Sequence, residues 1–361
     1  MLRLLARTTS LMIAAALFST AASAQTFRTS CPGNPGAVGV SRIVRIDATG
    51  GPRFGHLQYR DHDFLTRGEV VLTFDDGPAP GITDVILKAL ERHCTKATFF
   101  VVGRMAISHP LLLQDVARRG HTIGTHTWSH KYQLRRTNMR TAEHEIELGF
   151  SAVQAALGKP IAPFFRYPFL SDGRRSLEHL GARNVAVFSI DIDSLDYRSR
   201  NADAIIAKVM GELKRKGKGI LLFHDIQPAT ARAMPRLLDE LRRGGYRIVH
   251  IQPTKAATTL ARHDSEAARL LSRKRIAQTR NPLAPRSMVW PMEPPARRAG
   301  APLPPTAPGS QQPRVPVSAP QTAPVPPAPM VQPPGEPPRV RLRGPIVERS
   351  WKSQVLGGDG N

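Results

Sequence analysis

The run Glu69-Val70-Val71-Leu72-Thr73-Phe74-Asp75-Asp76-Gly77-Pro78 reads as a buried strand that ends on a turn. Its first six residues are rich in β-branched and aromatic types with no polar alternation, as in a strand covered on both faces. The Gly-Pro pair then turns the backbone and brings two adjacent carboxylates to the strand's carboxyl end. About fifty residues later comes His126-Thr127-Trp128-Ser129-His130. Its two imidazoles are four residues apart, so a single helical turn would project both to one side. Two histidines and one carboxylate make a known ligand set for catalytic zinc, with the fourth position open.

Working outward, helical and strand-like segments alternate. Ile82 to Cys94 has helical apolar spacing and leads into the strand Ala97 to Val102. Pro110 to Arg119 is helical, and His121 to Gly124 forms the strand that presents His126. Further cycles predict helices over 141–157, 176–180, 202–216 and 231–243, and strands over 164–167, 185–190, 219–223 and 246–249. Repetition of this unit predicts an α/β chain with a parallel sheet or barrel. The polar motifs fall just after strands: Arg166-Tyr167-Pro168-Phe169, Asp191-Ile192-Asp193-Ser194-Leu195-Asp196-Tyr197 and Leu222-Phe223-His224-Asp225 join the first two. In parallel barrels such strand ends gather into one site.

Both ends of the chain differ from this middle. Arg3 and Arg7, the apolar stretch Leu11 to Phe18 and Ala22-Ser23-Ala24 read as a secretory signal over residues 1–24. The expectation is an exported protein, periplasmic or extracellular, with an uncleaved signal acting as a membrane anchor as the alternative. After about Pro253 the composition shifts, and roughly two thirds of the chain's 33 prolines lie between Pro282 and Pro345. Residues 254–361 therefore read as a basic, Pro-rich disordered tail, within which Ser265 to Leu271 is either a short amphipathic helix or a solvated charge run. This tail has 16 Lys and Arg against 6 Asp and Glu, ten of the formal net charge of +23. It suits weak contact with anionic envelope polymers, or else serves as a solvated tether. Nucleic acid is not an expected partner, because no zinc knuckle, helix-turn-helix or RNA-binding aromatic signature accompanies the charge. Oligomeric state is not legible.

Cys31 and Cys94 are the only cysteines. In an oxidising compartment an even pair reads as a disulfide, and the alternative is one buried and one free thiol.

The ordered motif set from about Val70 to Val249 resembles the polysaccharide deacetylases of the NodB-homology type, carbohydrate esterase family 4. The resemblance implies a distorted (β/α) barrel over residues 68–253, preceded by an N-terminal extension over 25–67. It implies a metal-dependent hydrolase that removes N-acetyl groups from N-acetylglucosamine-containing glycans such as chitooligosaccharide, peptidoglycan or exopolysaccharide. The alternatives are an O-acetyl esterase of the acetylxylan type and a non-catalytic envelope glycan-binding protein. Carried over motif by motif, Asp76, His126 and His130 are the metal ligands, Asp75 the catalytic base and His224 the acid. Arg166 pairs with Asp75, Asp196 orients His224, the Phe169 N–H stabilises the oxyanion, and Leu222 lines the acetyl pocket. Tyr197 stands where the family commonly has Trp, which removes an indole donor from the pocket wall. Zinc suits the ligand set best, and Co2+, Ni2+ or Mn2+ fit the same donors.

Overall fold

The computed structural model describes residues 31–131 and 133–280, so the signal segment and the Pro-rich stretch from residue 281 lie outside the described residues. The sheet is wholly parallel. Its strands are β1 (Arg42–Ile46), β2 (Arg53–Phe54), β3 (Glu69–Asp75), β4 (Thr98–Val101), β5 (Thr122–Thr125), β6 (Phe164–Phe165), β7 (Ala186–Phe188), β8 (Ile192–Asp193), β9 (Gly219–His224) and β10 (Arg247–Pro253). The helices are α1 (Thr83–Arg92), α2 (Gly103–Ser108), α3 (Pro110–Arg118), α4 (Met139–Leu157), α5 (Arg174–Ala182), α6 (Ala202–Lys216), α7 (Pro228–Arg243) and α8 (Ala261–Arg280).

Strands β3 to β7 pair in chain order, and β9 returns to the free edge of β3 with β8 beside it. The result is a distorted (β/α) barrel: among the described residues no ladder joins β7 to β8. One side chain spans this break in the ladder. The buried Asp191 carboxylate accepts from the backbone N–H groups of Ile220 and His56, both at 2.7 Å. Period-two alternation divides β3 between two environments. Val70, Leu72 and Phe74 pack on helix residues such as Ile86, Leu87 and Leu90, while Val71 packs inside with Phe100, Phe164, Phe188 and Ile220. Thr73 and Asp75 follow Val71 on the inner face, so the strand's own pleat aims Asp75 into the barrel.

The helices start and stop where local chemistry requires. Asn138 caps α4 by accepting from Thr141 N–H at 2.9 Å, and Gly158 ends it with a left-handed φ of 74°. Asn201 and Gly217 do the same for α6.

The described part of the expected N-terminal extension contributes two strands to the sheet: β1 pairs with β10 (Arg42 opposite Val249) and β2 with β7 (Arg53 opposite Val187). Arg42 fixes this placement with a bidentate pair to Glu69 at 2.7 and 2.8 Å. The Cys31–Cys94 disulfide ties the same extension to the end of α1, with Cα atoms 5.6 Å apart. A closed loop of this size constrains the unfolded chain by about 4 kcal/mol on the entropy model.

At the other end, residues 254–280 are structured rather than part of a disordered tail. Ala257 N–H donates to Ile161 O at 2.8 Å, and α8 packs along α4. The physical reason is a stripe of His263, Ala267 and Leu271 at helical spacing, all buried, which decides for the amphipathic helix over the solvated charge run. Leu271→Asp should therefore lower the unfolding free energy by about 2–4 kcal/mol, as a carboxylate replaces a buried aliphatic group. Urea denaturation checks it, and an unchanged midpoint would return α8 to the tail.

Candidate metal centre and active site

The carboxyl ends of β3, β5, β6 and β9, with the loop after β8, bring the motif residues together. Asp75 is the last residue of β3 and is fully buried; its register partner on β9 is His224. Arg166, just after β6, lies in the barrel with no exposed surface. Its Nη1 donates to Asp75 Oδ1 at 2.7 Å and to Thr73 Oγ1 at 2.8 Å. Nε and Nη2 donate to Phe188 O and Ser189 O, both at 3.2 Å, and the guanidinium lies 4.2 Å from the centre of the Phe100 ring. Burial pushes the Asp75 carboxyl up to about 6 against the opposing pull of Arg166 and His224.

Asp76, His126 and His130 offer three donor atoms that all lie within 4.8 Å of one another. Asp76 Oδ1 is 3.7 Å from His126 Nε2 and 3.4 Å from His130 Nε2. A tetrahedral site with bonds of about 2.0 Å places its donors ~3.3 Å apart, so small side-chain adjustments complete it. Two observations fit a divalent ion. Asp76 Oδ1 is buried without any hydrogen-bond partner. The His126 Nδ1 proton is committed to Arg166 O at 2.7 Å, which leaves the Nε2 lone pair facing Asp76. Burial, reinforced by the neighbouring His130, pushes the His126 ring well below the usual histidine range and keeps it neutral, the form that ligates.

The helical turn expected between the two histidines is absent. Residues 126–130 form a loop in which Thr127 (φ 67°) and His130 (φ 54°) are left-handed. Thr127 Oγ1 accepts from His130 N–H at 3.0 Å, and the Glu145 side chain accepts from Ser129 N–H at 2.8 Å and from its hydroxyl at 2.7 Å. These side-chain bonds replace the helical ladder, and the rings still meet, with centroids 4.8 Å apart.

His224 stands at the end of β9, the strand beside β3. Asp196 binds it twice, its Oδ1 at 2.7 Å from Nδ1 and its Oδ2 accepting from the His224 N–H at 2.7 Å. Burial alone would push this imidazole down, yet the hydrogen bond and charge of Asp196, with Asp76 and Asp75, lift it to about 9. Tyr197 is exposed beside it, ring edge toward the imidazole with centroids 5.5 Å apart, and its hydroxyl donates to Asp193 at 3.2 Å. Leu222 forms a small apolar cluster with Leu170 and Ile190. Phe169 is exposed, left-handed (φ 57°), and set against His130 with centroids 4.8 Å apart. The pair Cys31 and Cys94 lies apart from this group of motifs.

One participant carried no assigned role in the sequence reading. Asp225, fully buried, accepts from Gly77 N–H at 2.9 Å and from Thr83 Oγ1 at 2.7 Å, so it holds the turn that presents Asp76. Burial pushes its carboxyl up to about 7 against those hydrogen bonds. Gly77 is obligatory there, since a Cβ would lie 2.0 Å from Asp225 Oδ2. The available signal was a second carboxylate directly after His224.

Comparison with known proteins follows this geometry. Residues 65–186 match the family model described as polysaccharide deacetylase. The peptidoglycan-N-acetylglucosamine deacetylase PgdA of Listeria monocytogenes is 32% identical over 186 residues, covering 52% of this chain and 38% of that protein. Chitin deacetylase 1 of Saccharomyces cerevisiae is 33% identical over 159 residues, 42% of this chain and 50% of the relative. The chain thus spans half or less of the length of these two relatives. Among solved structures, the Bdellovibrio bacteriovorus peptidoglycan deacetylase Bd3279 aligns with a TM-score of 0.53 at 33% identity, covering 59% of each chain. Both strand-end carboxylates and both loop imidazoles lie inside the stretch over residues 65–186 that matches the polysaccharide deacetylase family model.

Proposed function

We propose that this protein is an exported, metal-dependent hydrolase that removes N-acetyl groups from N-acetylglucosamine-containing glycans. The observation that carries this reading is the cross-strand pairing of Asp75 with His224 beside the Asp76–His126–His130 donors. A site that only bound glycan would have no need of two separately tuned proton-transfer groups. Asp76, His126 and His130 hold the ion, which when bound polarises the acetyl carbonyl and acidifies water, with zinc best suited to the donors. Asp75, held ionised and aimed by Arg166, takes the proton from the attacking water. The Phe169 N–H binds the oxygen of the tetrahedral centre. His224, charged and oriented by Asp196, gives a proton to the departing amine, a poor leaving group until protonated. Leu222, Leu170 and Ile190 offer an apolar wall for the acetyl methyl.

For the glycan itself, the peptidoglycan deacetylases among the relatives favour a wall polymer, and the groove beside Phe169 adds a physical reason. Lys131, Gln133, Arg136 and Thr137 line it with Phe169, setting two cationic residues next to the site, which suits an acidic glycan. The signal-like segment supports a periplasmic or extracellular setting, and the basic tail supports weak contact with anionic envelope polymers.

Three outcomes test these assignments. Asp75→Asn and His224→Ala should each cut acetate release from defined glycans by about 10²-fold or more. In the latter variant the bound metal, read by elemental analysis, should be retained; full turnover in both variants defeats the mechanism. Offered neutral chitooligosaccharide, peptidoglycan fragments and O-acetylated xylan, the enzyme should release acetate and a free amine fastest from the peptidoglycan fragments, and chelation should stop release from all of them. Because the His224 acid is raised above its usual range, activity should hold at neutral pH and fall as pH rises toward about 9. Asp196→Asn removes the group that raises it, so the alkaline limb should move to lower pH; a limb that stays in place would reject His224 as the acid.

A further inference from the structure

We propose that His144, His263 and Glu266 form a second divalent-metal site, which fastens the C-terminal helix α8 to α4. The three residues lie on the outer helical layer and share no member with the Asp76–His126–His130 group. His263 and Glu266 are three apart on α8, which puts both on one face of that helix, and His144 reaches them from α4. One donor atom from each lies within 4.8 Å of the others. Glu266 Oε2 is 3.3 Å from His144 Nε2 and 3.9 Å from His263 Nδ1. The first separation already matches the ~3.3 Å edge of a tetrahedral site with ~2.0 Å bonds, and the second closes with a small rotation of the glutamate.

The hydrogen bond between His144 Nε2 and Glu266 Oε2 at 3.3 Å accounts for only part of the arrangement. His263 is 5% exposed, and its Nδ1, aimed at the glutamate and the facing imidazole, is buried without a hydrogen-bond partner. A buried polar atom with no partner is uncommon and asks for one. Its other nitrogen, Nε2, accepts from Arg262 Nε at 3.0 Å, which places the neutral ring's proton on Nδ1. Metal binding displaces that proton, moves the ring proton to Nε2, and releases the exposed Arg262 side chain to water. Two imidazoles and one carboxylate suit Zn2+ over Mg2+ or Ca2+, which prefer all-oxygen sites. The ion would bridge two helices separated by more than a hundred residues of chain, so it binds the folded arrangement and stabilises it.

The test separates this site from the one beside Asp75 by removing the latter's ligand His130. Mature His130→Ala protein, stripped with chelator, is titrated with ZnCl2 in equilibrium dialysis and in thermal unfolding. One zinc should bind per chain, and Tm should rise by about 5 °C at saturating metal and fall back on chelation. Adding His144→Ala or Glu266→Gln should abolish both effects. His144 is partly exposed, and Glu266→Gln keeps the side chain's shape, so neither variant depends on disrupting a core. Zinc binding below one per chain in His130→Ala, or a Tm rise that survives both added substitutions, overturns the site. The readouts are stoichiometry and stability, so a failure of the proposed deacetylation leaves this result independent.

Discussion

The buried pair of Arg166 and Asp75 is the constraint around which the rest of the site is arranged. An ion pair inside a barrel loses its hydration, and its mutual attraction offsets that loss only when the remaining polar groups are also satisfied. Here they are: the guanidinium reaches Thr73, Phe188 O and Ser189 O, and lies over the Phe100 ring. The same residue acts a second time through its backbone, because Arg166 O accepts a hydrogen bond from His126 Nδ1–H and so sets which nitrogen faces Asp76. The Asp75 carboxylate and the His126 ring are thus registered to each other through one residue. A lysine could not replace it, since its point charge lacks the planar fork that meets several acceptors at once.

Around that pair, strain collects where function would need it. Asp76, Thr127, His130, Phe169 and Leu195 are all non-glycine residues with left-handed backbones, and each lies in a loop or turn following a strand. Such conformations are costly and persist when neighbours over-determine them. The neighbours are identifiable: Asp225 grips Gly77 beyond Asp76, Glu145 grips Ser129 between the histidines, and Asp193 accepts from Leu195 N–H at 2.9 Å. The first two carboxylates come from other segments of the chain, and the third lies two residues before the backbone N–H it holds. The candidate metal ligands Asp76 and His130 therefore gain their positions from contacts with other segments of the chain.

Legibility from the chain alone varied with the range of the interaction. Glu69 to Asp75, Gly219 to Phe223 and Ala202 to Lys216 were readable because apolar pattern, caps and breakers act within a few residues. The candidate site was readable as a set of strand-end motifs because parallel β/α units direct strand ends to one side. The loop from His126 to His130 was misread as a helical turn, since four-residue spacing is the same whether the backbone is helical or folded back by Thr127 and Glu145. The strands at Arg42–Ile46 and Arg53–Phe54 escaped notice because short edge strands depend on partners far away in the chain.

What the amino-acid order determined by itself was local: the β3 strand with its two terminal carboxylates, the alternation of strands and helices, and the spacing of the ligand candidates. Tertiary structure alone decided the rest. It selected the proton-bearing nitrogen of His126, gave Asp225 its hold on the Gly77 turn, left the barrel open between β7 and β8, and docked His263, Ala267 and Leu271 against α4. Those outcomes depend on distances between residues tens to hundreds of positions apart, and no spacing rule along a chain encodes a contact that only folding creates.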